Sequence, residues 1–273
     1  MLASFLIVFR EVIEAGLIVG IVLAAAKGLP GRVRWVASGI AGGVLGACLV
    51  AVFANEIASL FSGAGAELFN AAVLFLAVLM LIWHNVWMAS HAREIVGEAR
   101  AIGTAVARGE RTLSALAVVV GIAVLREGSE IALFLYGIAS QGGTSLNGLM
   151  AGGVLGVAAG VALSAIVYFG LLAIPLRRFF SFTSGLITLL AAGMAAQAVL
   201  FVQQGGYLEF LTETVWDTSR WLPQDSIIGR LLHTLIGYSD APNGAQLVFY
   251  AATVILIGLL MMRQTRRSAV VRF

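Results

Sequence analysis

The chain has 273 residues, of which 60% are hydrophobic and only 11% charged, and its mean hydropathy is +0.98. A soluble domain carries about 25% charged residues, so the composition excludes one and describes a protein that crosses a membrane several times. The net charge of +3 does not indicate nucleic acid, because the positive charge lies between apolar runs; the single cysteine, Cys48, excludes an intramolecular disulfide and a thiolate metal site, and the scattered His84, His91 and His233 exclude a His-rich metal centre.

Seven apolar runs are long enough to cross about 30 Å of hydrocarbon. They are Leu2–Ala26, Val36–Phe53, Phe69–Met88, Ala115–Ile138, Leu149–Ile174, Phe179–Val202 and Ala245–Met262. The first is read as a membrane helix rather than a cleavable signal, since it lacks a basic leader and charges interrupt it at Arg10, Glu11 and Glu14. Loop charges orient the spans. Lys27, Arg32 and Arg34, then Arg93, Arg100, Arg108 and Arg111, then Arg177 and Arg178, then Arg263, Arg266, Arg267 and Arg272 would share one side, and they make up 13 of the 17 basic residues. The bias of basic loops toward the cytoplasm puts the C-terminus inside and the N-terminus outside. The 32 glycines suit close helix packing in lipid.

Two of the runs carry charge where charge is expensive. Arg10-Glu11-Val12-Ile13-Glu14 lies in the first and Arg126-Glu127-Gly128-Ser129-Glu130 in the fourth, each an Arg-Glu-x-x-Glu pattern. On insertion scales a charge in hydrocarbon costs about 2.5–3.5 kcal/mol, so such residues normally face a bundle interior or an aqueous path. On a helix all three charges of each motif fall within an arc of about 100°, facing the same neighbour, and the arginine keeps its carboxylates ionised.

The chain also repeats itself. Ala41-Gly42-Gly43-Val44-Leu45-Gly46 recurs as Ala151-Gly152-Gly153-Val154-Leu155-Gly156, one span after each motif, at an offset of 110 against 116 for the motifs. Spans one to three and four to six read as two copies of a three-helix unit, inverted because three is odd, which is the plan of secondary transporters with a midplane site. The expected division is residues 1–112 (first repeat with a cytoplasmic linker helix), 113–203 (second repeat), 204–243 (outer helical loop) and 244–273 (seventh span and basic tail). The fold class is all-α integral membrane protein. Glu11, Glu14, Glu127 and Glu130 would then converge as metal ligands, supported by Arg10 and Arg126. Oxygen donors suit Fe³⁺, Fe²⁺, Mn²⁺, Mg²⁺ or Ca²⁺. A salt-bridge network that merely pins two helices explains the charges less well, since apolar packing usually serves stability equally. An intramembrane carboxylate metalloenzyme would want Glu-x-x-His pairs, which neither motif has.

The doubled motif in a seven-span chain resembles the high-affinity iron permeases, the oxidase-dependent iron transporter family, and its bacterial branch in particular. Phe9 to Ala15 and Ala123 to Glu130 carry the two signatures; Glu67-Leu68-Phe69 and Ile236-Gly237-Tyr238-Ser239-Asp240-Ala241-Pro242 are also similar to the family, while Asn70 stands where many members have an acid. The resemblance implies a non-enzymatic permease of the bacterial inner membrane that imports Fe³⁺ or Fe²⁺, with iron as cargo and no permanently bound cofactor. The same ligands would serve Mn²⁺ or Pb²⁺. Members work with a multicopper oxidase in fungi, and with extracytoplasmic iron-binding and peroxidase-like proteins in bacteria, so a partner of that kind is implied.

Lesser features complete the reading. Ala92, Ile95, Val96, Ala99, Ile102 and Val106 recur at helical spacing in the third loop, which reads as an amphipathic helix on the cytoplasmic surface. Glu209, Glu213 and Asp217 would form an acidic stripe on an outer helix and, with Glu67, are candidates for the outer mouth. Ile227, Ile228, Leu231, Leu232 and Leu235 suggest two amphipathic helices capping that side. His84, Asn85 and Gln197 are candidates for lining the path or for hydrogen bonding a neighbouring helix. Trp83 and Trp87 fit an interfacial belt.

Overall fold

A computed structural model describes residues 1–59, 66–140, 145–170 and 176–270. They form eight helices: α1 (Leu2–Ala25), α2 (Arg32–Ser59), α3 (Ala66–Ala107), α4 (Ser114–Ser140), α5 (Leu146–Tyr168), α6 (Leu176–Gln204), α7 (Ile227–Ile236) and α8 (Gly244–Val270). Five stretches are apolar and long enough to cross a membrane: Arg32–Phe53, Glu67–Met88, Leu146–Tyr168, Ser181–Gln204 and Gly244–Gln264. At 24 and 27 residues α1 and α4 are also long enough, and only the three charges of their motifs separate them from the other five.

Burial is the reverse of a soluble bundle. Glu11, Glu14, Glu127, Glu130, Arg10 and His84 are buried, while Leu45, Leu49, Val52 and Phe53 of α2 and Met150, Val154, Leu155 and Val161 of α5 are exposed. This is the distribution expected when the solvent is lipid, and the protein is a multi-pass membrane protein.

The helices pair across the expected halves: α1 packs along α5, α4 along α2, and α3 along α6. Glycine makes this possible. A Cβ at Gly43 would lie 2.7 Å from the Gly121 carbonyl, 2.7 Å from Val124 Cβ and 2.9 Å from the Leu125 nitrogen. A Cβ at Gly156 would lie 2.9 Å from the Phe5 carbonyl, 2.9 Å from Val8 Cβ and 3.0 Å from the Phe9 nitrogen. The partners on α4 and α1 differ by 116 positions, as do the motifs. Gly39 against Ala117 and Gly152 against Met1 repeat the relation. The register relating α2 to α5 is therefore 113, not the 110 of the matching hexapeptides. Gly42 and Gly153 have nothing within 4 Å of their Cβ positions, so identical letters in the hexapeptides do not hold identical places.

The packing predicts a sharp contrast. Gly43→Ala or Gly156→Ala is expected to destabilise by about 1–3 kcal/mol, because the new methyl meets backbone atoms that cannot step aside. Gly42→Ala or Gly153→Ala is expected to be neutral or slightly stabilising. Thermal unfolding of the four variants in detergent checks this.

Four sequence expectations need correction. The third loop is not a separate surface helix: α3 runs unbroken for 42 residues, about 63 Å at 1.5 Å per residue. Residues 89–107 are rich in Ala, Glu and Arg and contain no proline, so nothing stops the helix. Its extension packs Ala99 and Val106 with Val22, Ala26, Val36, Leu116 and Val120, while Val96 is exposed. Segment 205–226, expected as part of an outer helical loop, is not helical, so the acidic stripe does not exist as such. Its amides reach across the chain instead: Val215 N–H donates to the Pro242 carbonyl and Thr218 N–H to that of Asp240. Between residues 205 and 243 one helix forms rather than the expected two, α7, capped by Ser226 and closed by Gly237 at φ 69. The fifth run ends at Tyr168, where Gly170 at φ 71 turns the chain; the remaining expected positions, 171–174, lie outside the described residues.

Candidate metal centre

The charged face of α1 is set among buried Ile7, Val8 and Ile13. Its guanidinium holds both motif carboxylates on one side: Arg10 Nη1 is 3.0 Å from Glu11 Oε1, and Nη2 is 2.9 Å from Glu14 Oε1. The α4 motif repeats the scheme more loosely, with Arg126 Nε 3.7 Å from Glu127 Oε1 and 3.4 Å from Glu130 Oε1. In each glutamate Oε1 therefore faces an arginine. The four Oε2 atoms turn inward, are buried and have no hydrogen-bond partner.

Between the two motifs stands His84 of α3, 1% exposed. Its Nε2 is 3.8 Å from Glu11 Oε2 and 3.6 Å from Glu14 Oε2. Its Nδ1 abuts Glu130 Oε2, without the geometry of a hydrogen bond. One donor atom from each of Glu11, His84, Glu127 and Glu130 lies within 4.8 Å of the others. Buried polar groups normally find partners, and each left without one costs about 1–3 kcal/mol or more when charged. A cluster of such atoms, converging from three helices, suits a cation that supplies the missing partner.

The four glutamates expected as ligands and the two arginines expected as supports are brought together by the fold, all six in one cluster. His84 stands inside that cluster rather than along a separate path. Its signal in the sequence is that it is the only titratable side chain in the run Phe69–Met88. Asn85 braces the helix that carries His84, accepting from Ser184 Oγ at 2.6 Å and donating to the Ser184 carbonyl at 3.4 Å. Trp87, expected at an interface, stacks under Arg126 with the guanidinium carbon 4.3 Å from the ring centre, and Arg126 Nη2 also lies 3.7 Å from Met88 Sδ. Exposed Trp83 fits the interfacial reading and stacks on Trp87 at 5.8 Å. Arg126 thus has partners besides its glutamates and is 29% exposed, against 3% for Arg10.

The remaining candidates lie apart from this cluster. Gln197 lines a cavity of about 1070 Å³ with Met1, Asp225, His233, Asn243 and Gln246, under the 205–243 segment. Asn243 secures that segment by donating to Gln203 Oε1 at 2.6 Å. Glu67, Glu209, Glu213 and Asp217 are all exposed and are not gathered with the centre. Asp217 is engaged locally: hydrogen bonds from Ser219 hold its carboxyl below the usual range.

Comparison with known proteins points to iron transport. The ferrous iron permease EfeU of Escherichia coli O157:H7 is 33% identical over 254 residues, covering 92% of this chain and 91% of that protein. The ferrous iron permease EfeU of Yersinia pestis is 30% identical over 277 residues, covering 99% and 97%. No solved structure matches the chain. Residues 1–270 match the iron permease FTR1 family, a span that includes both motifs, and the chain belongs to that family.

Proposed function

We propose that this protein imports iron as Fe²⁺ across the bacterial inner membrane, through a site built from Glu11, Glu14, Glu127, Glu130 and His84. The observation that carries the proposal is the set of inward, unpartnered donor atoms from three helices. Four carboxylates alone would suit any hard cation. The imidazole adds a borderline nitrogen donor, which favours Fe²⁺ over Mg²⁺ and Ca²⁺. The relatives' names, ferrous iron permease, agree with that choice. In the metal-binding form the cage holds four carboxylates, two guanidiniums and a neutral imidazole, a net charge of −2 that one divalent ion neutralises.

The proposed topology has seven spans, α1 to α6 and α8, with the N-terminus outside. Two inverted three-helix units share the site, and their exchanged packing on glycine supports that division. Iron arriving from the outer side would take the Oε2 atoms while the arginines keep Oε1. Arg126 is the arginine with an alternative seat, on Trp87, so the α4 side is the one that can loosen.

The test is uptake by purified protein in liposomes, with ⁵⁵Fe²⁺ under ascorbate compared with chelated ⁵⁵Fe³⁺. Fe²⁺ accumulation, resistant to excess Mg²⁺ and Ca²⁺ and sensitive to Mn²⁺, is expected. Preference for Fe³⁺, or equal competition by Ca²⁺, would overturn the ferrous assignment.

A further inference from the structure

Two helix faces lead from the large cavity to the metal centre. On α1, Met1 and Leu2 line the cavity, and Ala3 and Leu6 line a small void of about 10 Å³. Arg10 and Glu14 follow Leu6 at four-residue steps, on the same side of the helix. On α6, Gln197 and Gly193 line the cavity, and Leu190 and Thr183 line the void. Beside Thr183, Ser184 bonds Asn85, the chain neighbour of His84. Both helices, running in opposite directions, give the same order: cavity, void, charged centre.

The interval is too narrow and too apolar for an ion. A void of about 10 Å³ barely admits one water molecule, and Thr183 is the only polar side chain lining it. A hydrated cation does not fit there, and a bare one would lose its water among alkyl groups. One wall comes from neither α1 nor α6: it is Leu235 of α7. The same helix lines the cavity above through Arg230, His233 and Ile236. Its C-terminal end is pinned. A Cβ at Gly193 would lie 2.6 Å from Gly237 Cα, and Tyr250 Oη donates to the Ile236 carbonyl at 2.6 Å. Its N-terminal turn stands out of the bundle, with Ile227 and Ile228 exposed.

We infer that the cavity is the vestibule in which a hydrated cation waits, and that Leu235 is the gate between it and the centre. This rests on the permease reading above. Lined by Gln197, Asp225, Asn243 and Gln246, the cavity is wide and polar enough for an ion with its water. A pivot of α7 at Gly237 draws Leu235 out of the void, joins void to vestibule and lets water and ion reach the motif carboxylates.

The experiment is thiol labelling of the full-length protein in detergent, in a Cys48→Ala background, with the small cation aminoethyl methanethiosulfonate. Gln197→Cys reports the vestibule and Leu190→Cys, two turns away on the same face of α6, reports the void. Gln197→Cys is expected to react at least roughly tenfold faster than Leu190→Cys, and adding Leu235→Ala is expected to remove most of that difference. In liposomes, full modification of Gln197→Cys is expected to slow iron uptake by roughly tenfold or more, because a bound cation then occupies the vestibule. Leu190→Cys reacting as fast as Gln197→Cys, no acceleration by Leu235→Ala, or unchanged uptake after full modification would overturn the inference. Where Leu235→Ala does not elute as a monodisperse species, Leu235→Val gives the same comparison at smaller amplitude. The two readings fail separately. Iron-carrying liposomes whose Leu190→Cys reacts as fast as Gln197→Cys sink the gate alone. A barrier that Leu235→Ala opens, in a protein that carries no iron, sinks the permease reading alone.

Discussion

Glu14→Gln and Glu130→Gln are each expected to abolish iron uptake, by at least about a hundredfold at limiting iron, in protein that remains folded. Glutamine keeps the shape of the side chain and an oxygen for the arginine that now holds Oε1. It removes one negative charge from a cage that just neutralises a divalent ion. At about 4 Å and an effective dielectric constant of 20, the interaction of one unit charge with a divalent ion is worth about 8 kcal/mol before relaxation, well above the roughly 3 kcal/mol that a hundredfold loss requires. The measurement is initial uptake by liposomes, with thermal unfolding in detergent as the control for folding. Intact uptake alongside a lowered melting temperature would show that the motifs act as structural glue and that the metal centre is misassigned.

Arg10→Met is expected to destabilise the protein by about 3–5 kcal/mol, because it strands two buried carboxylates that now sit 3.0 and 2.9 Å from the guanidinium. Arg126→Met is expected to cost less, about 1–3 kcal/mol. Its ion pairs are longer, at 3.7 and 3.4 Å, and it is 29% exposed. A divalent cation should restore much of the loss, since it supplies the positive charge that the variant lacks and binds only the folded protein. The expected record is a rise in melting temperature on adding Mn²⁺ that is larger for Arg10→Met than for wild type. A variant as stable as wild type without metal would mean that Arg10 is not the counter-charge of the α1 motif.

Much of this centre is legible in the amino-acid sequence. Two Arg-Glu-x-x-Glu patterns inside apolar runs leave few explanations, since lipid penalises each charge and a helix places all three on one face. His84 is visible there only as a lone titratable residue, because its partners lie about 70 and 45 positions away and no local spacing links them. Trp87 escapes for a related cause: an indole suits an interface as well as an arginine, and only the neighbour decides. The hexapeptide repeat is real as letters and displaced as structure. Glycine is needed at a helix crossing because of what stands opposite, and Gly42 and Gly153 have nothing opposite. The expected acidic stripe of Glu209, Glu213 and Asp217 fails because four-residue spacing promises a helical face only if the backbone is helical. There the amides of Val215 and Thr218 pair with the 240–242 stretch instead.

The class of molecule, the positions of the membrane-length runs and the four carboxylates with their arginines are all written locally in the chain. They follow from hydropathy summed along a segment and from charge placed on a helical face. Which oxygen of each glutamate is held and which is left open depends on the assembled bundle. So do the pairing of α1 with α5 and of α4 with α2, and the insertion of a histidine from α3 between the two motifs. These are relations between helices far apart in the chain, fixed by close packing over glycine and by the need to partner buried charge, and no periodicity within one helix encodes them.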